Sequence, residues 1–328
     1  MKSILKQSSK AKAFSIVELL TVMSIIVILF SLLMPALALA RRYAKRVQQH
    51  AQFRSISAGL ELFSKPDSEG GYGELPDSGR YDDAVPQQNY CGAQKLAEAL
   101  VGQDLLGFNP KSLFQADGLN PNLTSPDDVL YPDQYSTPPV PTPPPPPYPQ
   151  WYIENLKSRK LSLEIDGANV NTLRGLFGPA IDGIFDQAGD PDGGIVLCDV
   201  YGRVKNITTG KRTGMPILYY KANVSRQTHQ WSGVGINQLN IYNYDDNSEL
   251  VNLALPFAPS YYHPIADPLG QPTQDGGTSD PEIFYTDMIR DKNVTVIDRP
   301  VRPDSYILIS AGFDGEYGTD DDIFNFTR

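Results

Sequence analysis

Histidine and cysteine are nearly absent from this sequence, with three of the first and two of the second in 328 residues. His50, His229 and His263 are scattered, and none stands at metal-ligand spacing from another or from Cys91 or Cys198, which argues against a zinc centre. Two cysteines are too few for a disulfide scaffold. In an oxidising compartment, pairing them would close a long loop and add roughly 4–5 kcal/mol; two buried free thiols are the competing reading. Also missing are a Gly-x-Ser-x-Gly elbow, a Walker loop and a Gly-x-Gly-x-x-Gly turn that opens a helix after a strand. An enzyme would have to be assembled from residues far apart in the chain, so the expectation is that this protein is not one. A basic excess is lacking too. The net charge is −10, and an acidic body disfavours nucleic acid as a partner.

What charge there is lies unevenly. Residues 1–13 carry Lys2, Lys6, Lys10 and Lys12 and no acid, whereas residues 65–328 sum to −17. Between them, Phe14 to Ala40 is an apolar run in which Glu18 is the only charge, followed at once by Arg41, Arg42, Lys45 and Arg46. The run is long enough to cross a bilayer, which takes about 20 residues. A secretory signal would explain the basic start and the small-residue patterns at 36–38 and 38–40, with cleavage after Ala40. It would also have an apolar stretch well beyond the usual ~7–15 residues and a carboxylate inside it. A plain anchor explains the length and leaves Glu18 without a role, although a charge in a membrane segment is costly and is usually functional.

The stretch Ala13-Phe14-Ser15-Ile16-Val17-Glu18-Leu19-Leu20 resembles the start of type IV prepilins, the class that includes the pseudopilins of type II secretion. Their motif reads small-Phe-Thr-Leu-Ile-Glu-Leu-Leu. Ala13 stands where the family usually has glycine, and Pro35 falls where it often has a helix-kinking proline. The resemblance implies cleavage between Ala13 and Phe14 by a membrane prepilin peptidase that then methylates the new N-terminus. It also implies a single-pass subunit in the inner (cytoplasmic) membrane, its head in the periplasm or outside. Glu18 would meet the N-terminal amine of a neighbouring copy during assembly. The implied partners are further copies of the chain, minor pseudopilins and an inner-membrane assembly platform.

Past Pro35, Phe53, Ile56, Leu60 and Phe63 recur at helical spacing and form a stripe for a head to pack on. A helix over 14–63, with 14–40 as its membrane and assembly half, would be about 75 Å long, kinked or locally melted at Pro35, and stopped by Ser-Lys-Pro-Asp at 64–67. Residues 64–328 then form the head. Residues 66–90 read as loop, and a helix follows with Leu96, Leu100 and Leu105 inward. Residues 132–149 hold ten prolines and read as an extended polyproline spacer or insertion. The runs 193–202, 215–223 and 305–312 are β-branched or aromatic between turn residues. The order implies an α+β head, a mostly antiparallel sheet packed on the helix stripe, which the resemblance makes type IV pilin-like. The tyrosine pairs Tyr219-Tyr220 and Tyr261-Tyr262 suit either a contact face or a core.

The richest local chemistry is at 310–326. Five carboxylates and no base lie between Asp314 and Asp322, among Gly312, Gly315 and Gly318. Hard oxygen donors on a pliable loop suit Ca²⁺, while a solvated acidic loop is the plainer reading. Asp320 is a candidate ligand by chemistry, and Asp321 is expected to face solvent. The weaker acidic stretch at 186–194 is read as a turn. The segment from Ser305 resembles the C-terminal end of the major pseudopilin, where two aspartates and backbone carbonyls hold a structural Ca²⁺. That resemblance assigns the ligands to Asp314 and Asp322, with Ser310 and Tyr317 as candidate carbonyl donors. The expected function is a structural subunit of a type II secretion-like pseudopilus or a type IV pilus. The alternative is a minor or tip pilin, or a membrane-anchored surface module with an enlarged recognition head.

Overall fold

Helix α1 begins at Ile16 and runs to Phe63. A computed structural model describes residues 15–66, 71–82, 87–109, 113–116, 118, 157–164, 168–185, 192–233, 237–267 and 269–327. The leader 1–13, Phe14, the proline-rich 132–149 and most of 186–194 lie outside the described residues. Two compact units divide at Lys45/Arg46. In the first, α1 is exposed throughout and, from Ile16 to Ala40, apolar but for Glu18 and a few small polar residues, with Ile16 82%, Leu32 68% and Leu39 67% accessible. Among the described residues it is the one helix long and apolar enough to cross a membrane. The expected melting at Pro35 is corrected, because the helix continues through it. A single missing N–H removes one bond, and the bonds on either side carry on.

The second unit starts with the rest of α1, which buries Phe53, Ile56, Leu60 and Phe63, as the spacing predicts. Helix α2 follows at Gly92–Val101. The chain then forms strand β1 (Val170–Thr172), the short helix α3 (Leu173–Phe177), β2 (Ile195–Leu197), β3 (Val204–Lys205), β4 (Arg212–Thr213), β5 (Leu218–Lys221), helix α4 (Ser248–Val251), β6 (Tyr306–Ser310) and β7 (Ile323–Phe324). The pairings between these strands are antiparallel: β1 with β2, β3 with β4, and β5-β6-β7 in that order. The three strand runs read from the sequence are thus β2, β5 and β6. The strands β1, β3, β4 and β7 had too short an apolar pattern to be seen.

A seam joins β2 to β5. Ile217 N donates to the Leu197 carbonyl (2.7 Å) and Asp199 N to the Met215 carbonyl (2.8 Å), on either side of the bridge between Cys198 and Pro216. This is the pair position at which neither residue donates to the other, so a proline is tolerated there. Register alternates side chains between two buried faces, which is why these strands read as continuous apolar runs. Leu197, Ile217, Tyr219 and Leu308 face one cluster with Ile56 and Leu96. Cys198, Leu218, Tyr220 and Ile309 face the other, among Tyr242, Tyr244 and Phe284.

Tyr219 and Tyr220 are therefore core, while Tyr261 is 40% exposed. Two of the buried tyrosines satisfy their hydroxyls on backbone carbonyls: Tyr219 donates to Pro76 O (2.8 Å) and Tyr244 to Ile265 O (2.6 Å). Cys91 and Cys198 are buried free thiols. Burial pushes the Cys91 thiol up to about 11 and the Cys198 thiol higher, so both are inert.

Two glutamines fasten α1 to the seam. Gln52 Nε2 donates to the Cys198 carbonyl (2.8 Å) and Gln49 Oε1 accepts from Val200 N (3.0 Å). Gly59 sets the approach of α1 to α2, since a Cβ there would lie 2.9 Å from both Leu100 Cδ2 and the Ser162 carbonyl. Gly59→Val is expected to cost about 1–3 kcal/mol by overpacking, while Ser55→Ala on the exposed face stays within about 0.5 kcal/mol. Urea unfolding of the detergent-solubilised chain measures both; equal midpoints would remove the close-packing account.

Candidate functional site

At the start of the described chain, Ser15 and Glu18 form a reciprocal cap. Ser15 N donates to Glu18 Oε2 (2.9 Å) and Glu18 N donates to Ser15 Oγ (3.2 Å). This is a capping box, and it satisfies two N–H groups that a helix start otherwise leaves open. Glu18 therefore has a local task that the sequence reading missed, although Ser-x-x-Glu ahead of an apolar run is its known signature. The carboxylate also lies near the positive end of the helix dipole. Ala13 and Phe14 are outside the described residues.

Residues 311–322 connect β6 to β7, whose ends meet at the Ser310–Ile323 pair. The loop is shaped by acids that accept backbone N–H groups. Asp321 Oδ2 accepts from Phe313 N (2.7 Å) and Asp314 N (3.1 Å), and its Oδ1 from Thr319 Oγ1 (2.7 Å). Asp314 Oδ1 accepts from Glu316 N (2.8 Å). Asp322 Oδ2 accepts from Gly318 N (2.7 Å) and Thr319 N (3.2 Å). Gly312 is required where it stands: its φ is 66°, and a Cβ would fall 2.4 Å from the Asp321 carbonyl oxygen. The expectation for Asp321 is corrected, since it ties the loop, whereas Asp320 is exposed. Adjacent acids of one run look alike in sequence, and only the closing geometry separates them.

Beneath the loop lie groups that no local pattern pointed to. Ser310 Oγ donates to Asp199 Oδ2 (2.9 Å), and Asp199 Oδ1 accepts from Tyr201 N (3.0 Å). Tyr317 N donates to His263 Nδ1 (3.0 Å) and its hydroxyl donates to the Pro216 carbonyl. Burial lowers His263 to about 3, so it is a neutral acceptor. Burial pushes the Asp199 carboxyl up to about 8. Asp314 rises to about 7, through burial first and then through Asp321 beside it. Two carboxyls placed together cannot both ionise at ordinary cost.

The donors here are hard oxygens, the chemistry of a calcium site. Yet among the described residues no three His, Cys, Asp or Glu side chains are grouped to hold a metal. A cation at this loop would rest on two side chains and on backbone carbonyls. No protein-family model, curated protein or solved structure matches the chain.

Two outcomes follow. Asp321→Asn is expected to lose about 1.5–3 kcal/mol, because it weakens charge-assisted bonds, and Asp320→Asn to lose about 0.5 kcal/mol or less; thermal melts that rank them the other way would refute the loop geometry. The second concerns pH. A carboxyl raised in the folded state contributes stability below its unfolded value, near 4, and that contribution is lost as pH rises through its folded value. For Asp199, with its folded value about 8, Asp199→Asn in chelator should gain melting temperature relative to the parent between pH ~4 and ~8. Parallel curves would show that Asp199 is not held protonated.

Proposed function

We propose that the chain is a membrane-held filament subunit of the type IV prepilin class, a structural component of a type II secretion-like pseudopilus or a type IV pilus. The observation that carries this reading is an exposed apolar helix, Ile16 to Ala40, whose sole charge is Glu18 near its start. Such a surface needs lipid or other helices around it. The α+β head, with its antiparallel sheets behind the second half of α1, agrees with the pilin-like layout. In this reading prepilin peptidase cuts between Ala13 and Phe14. Apolar flanks then meet hydrocarbon or neighbouring helices. Glu18 pairs with the new N-terminal amine of the next copy, a contact strengthened because neither charge has water as an alternative.

Calcium belongs to the same proposal. Asp314 and Asp322 would hold it with backbone carbonyls, Ser310 and Tyr317 being the candidates, and Asp320 would stay at the rim. A bound Ca²⁺ supplies positive charge where the Asp314 and Asp321 carboxyls are crowded together. The chain's own part is to hold those oxygens in place through the N–H bonds of the loop. Melting of the head should therefore rise with Ca²⁺ and fall with chelator, and Asp314→Ala should abolish the difference; a parent indifferent to chelator would refute the metal assignment.

The decisive measurement for processing is the mass of the native N-terminal peptide. A chain beginning at Phe14 and carrying one extra methyl group is expected, and one beginning at Arg41 would overturn the proposal. Glu18 is tested separately from its cap. Gln keeps a capping box and removes the charge, so Glu18→Gln should be cleaved normally and fail to assemble, like Glu18→Ala. Normal filaments from Glu18→Gln, with none from Glu18→Ala, would reduce Glu18 to a helix cap.

A further inference from the structure

Beside β5, far along the chain from the acidic hairpin, lies a recess of about 450 Å³, within the usual range of small-ligand pockets. One wall is the segment around Ser78, pinned because Lys221 N donates to Ser78 Oγ (2.9 Å) and Tyr219 OH to Pro76 O (2.8 Å). The other is the turn after β5, tied down by Asn223 N donating to the Ile241 carbonyl (2.7 Å). The carboxyl of Asp246, 5% exposed, is at the base, accepting from Ser78 Oγ (2.5 Å).

The four titratable groups on the lining are Asp77, Lys221, Arg226 and Asp246. Asp77 accepts from Lys95 Nζ (2.6 Å) and from Gly79 N (3.0 Å). Lys221 Nζ donates to Glu74 (3.2 Å) and to the Leu75 carbonyl (2.9 Å). Burial pushes Asp246 well above the usual carboxylate range, which leaves it neutral. The Arg226 guanidinium has no ion pair or hydrogen bond among the described residues. In a head of net −17, the one uncompensated charge on this lining is positive.

The amides are aimed as well. Asn223 Oδ1 accepts from Ser225 N (3.1 Å) and Asn243 Oδ1 from Asp245 N (3.1 Å), so each amide is held by its oxygen and offers its Nδ2, for which the described residues supply no acceptor. One cation and two amide donors call for an acceptor-rich ligand. A dianion such as phosphate is disfavoured, because Lys221 is committed to Glu74. The neutral carboxyl of Asp246 and the hydroxyl of Ser78 suit ligand hydroxyls rather than a second charge.

We propose that this recess binds a hydroxylated monocarboxylate of the uronic-acid class, its carboxylate on Arg226 and its hydroxyls among Asn223, Asn243, Ser78 and Asp246. The test is titration calorimetry of the full chain in detergent micelles with galacturonate, galactose and propionate as probes. Galacturonate should bind at least about tenfold more tightly than galactose, which lacks the charge, or propionate, which lacks the hydroxyls. Arg226→Gln, at an exposed position, should melt like the parent and weaken galacturonate at least about tenfold. Absence of galacturonate binding, binding no tighter than propionate, or binding that survives Arg226→Gln would each overturn the proposal.

Discussion

The seam where β2 meets β5 is the constraint on which the head depends. At Pro216 the strand's missing N–H faces the β6–β7 hairpin and not β2, so the β2 ladder is completed by Ile217 N and Asp199 N. The same residue's carbonyl accepts the Tyr317 hydroxyl from that hairpin. Across the pair, Cys198 donates to Asn169 O (2.9 Å) toward β1 while its own carbonyl takes Gln52 of α1. Within a few residues, the sheet, the helix and the acidic loop are all bonded to one stretch of backbone. Asp199 completes the link by holding Ser310 at the end of β6. A fault at this seam reaches both the α1 docking face and the loop, because the Gln52, Ser310 and Tyr317 bonds are buried and have no water to replace them.

What was legible in the sequence follows from range. The stripe Phe53, Ile56, Leu60 and Phe63 is a local period, and the structure buries all four. The runs that became β2, β5 and β6 were visible because both faces of those strands are buried, leaving unbroken apolar stretches. The sequence places Leu96, Leu100 and Leu105 inward on one helix. Leu96 and Leu100 are buried on α2, whereas Leu105 lies past its end in a turn, half-buried with φ 63°. Every residue of α2 is buried, including Lys95 and Glu98. That burial was hidden because its compensation is distant or lies outside the helix: Lys95 meets Asp77 and the Tyr81 carbonyl (2.7 Å), and Glu98 accepts from the Tyr90 hydroxyl (2.6 Å). Polar residues on a helix normally mark its wet face, and here they mark a satisfied interior network. Gln49 and Gln52 escaped notice for the same reason.

Glu18 meets one local demand, and the proposed function asks it to meet a second of longer range. Its cap with Ser15 is complete within the chain and uses hydrogen bonds that a neutral glutamine would reproduce. The proposed pairing with a neighbouring amine uses charge, which glutamine lacks. A carboxylate already oriented by its own helix loses less side-chain freedom when a cation arrives. The cap is thus no rival to the proposed docking role, and it would prepare it.

The acidic hairpin poses the complementary problem, a surplus of like charge held by the fold itself. Asp314 and Asp321 are drawn together because Asp321 accepts the Asp314 N–H, and Asp199 lies below them at the seam, its carboxyl raised mainly by burial and to a smaller extent by Asp321. Backbone N–H groups satisfy individual oxygens but supply only partial positive charge, so the remaining repulsion must be met by protons or by a cation. These are alternatives at the same place. Protons suffice in acid; at higher pH the hairpin either carries the repulsion or gains from a divalent ion. The proposed calcium therefore needs no preformed side-chain triad. Its free energy would come from carboxylates that the seam has already forced together, which makes the metal's effect largest where protons are scarcest.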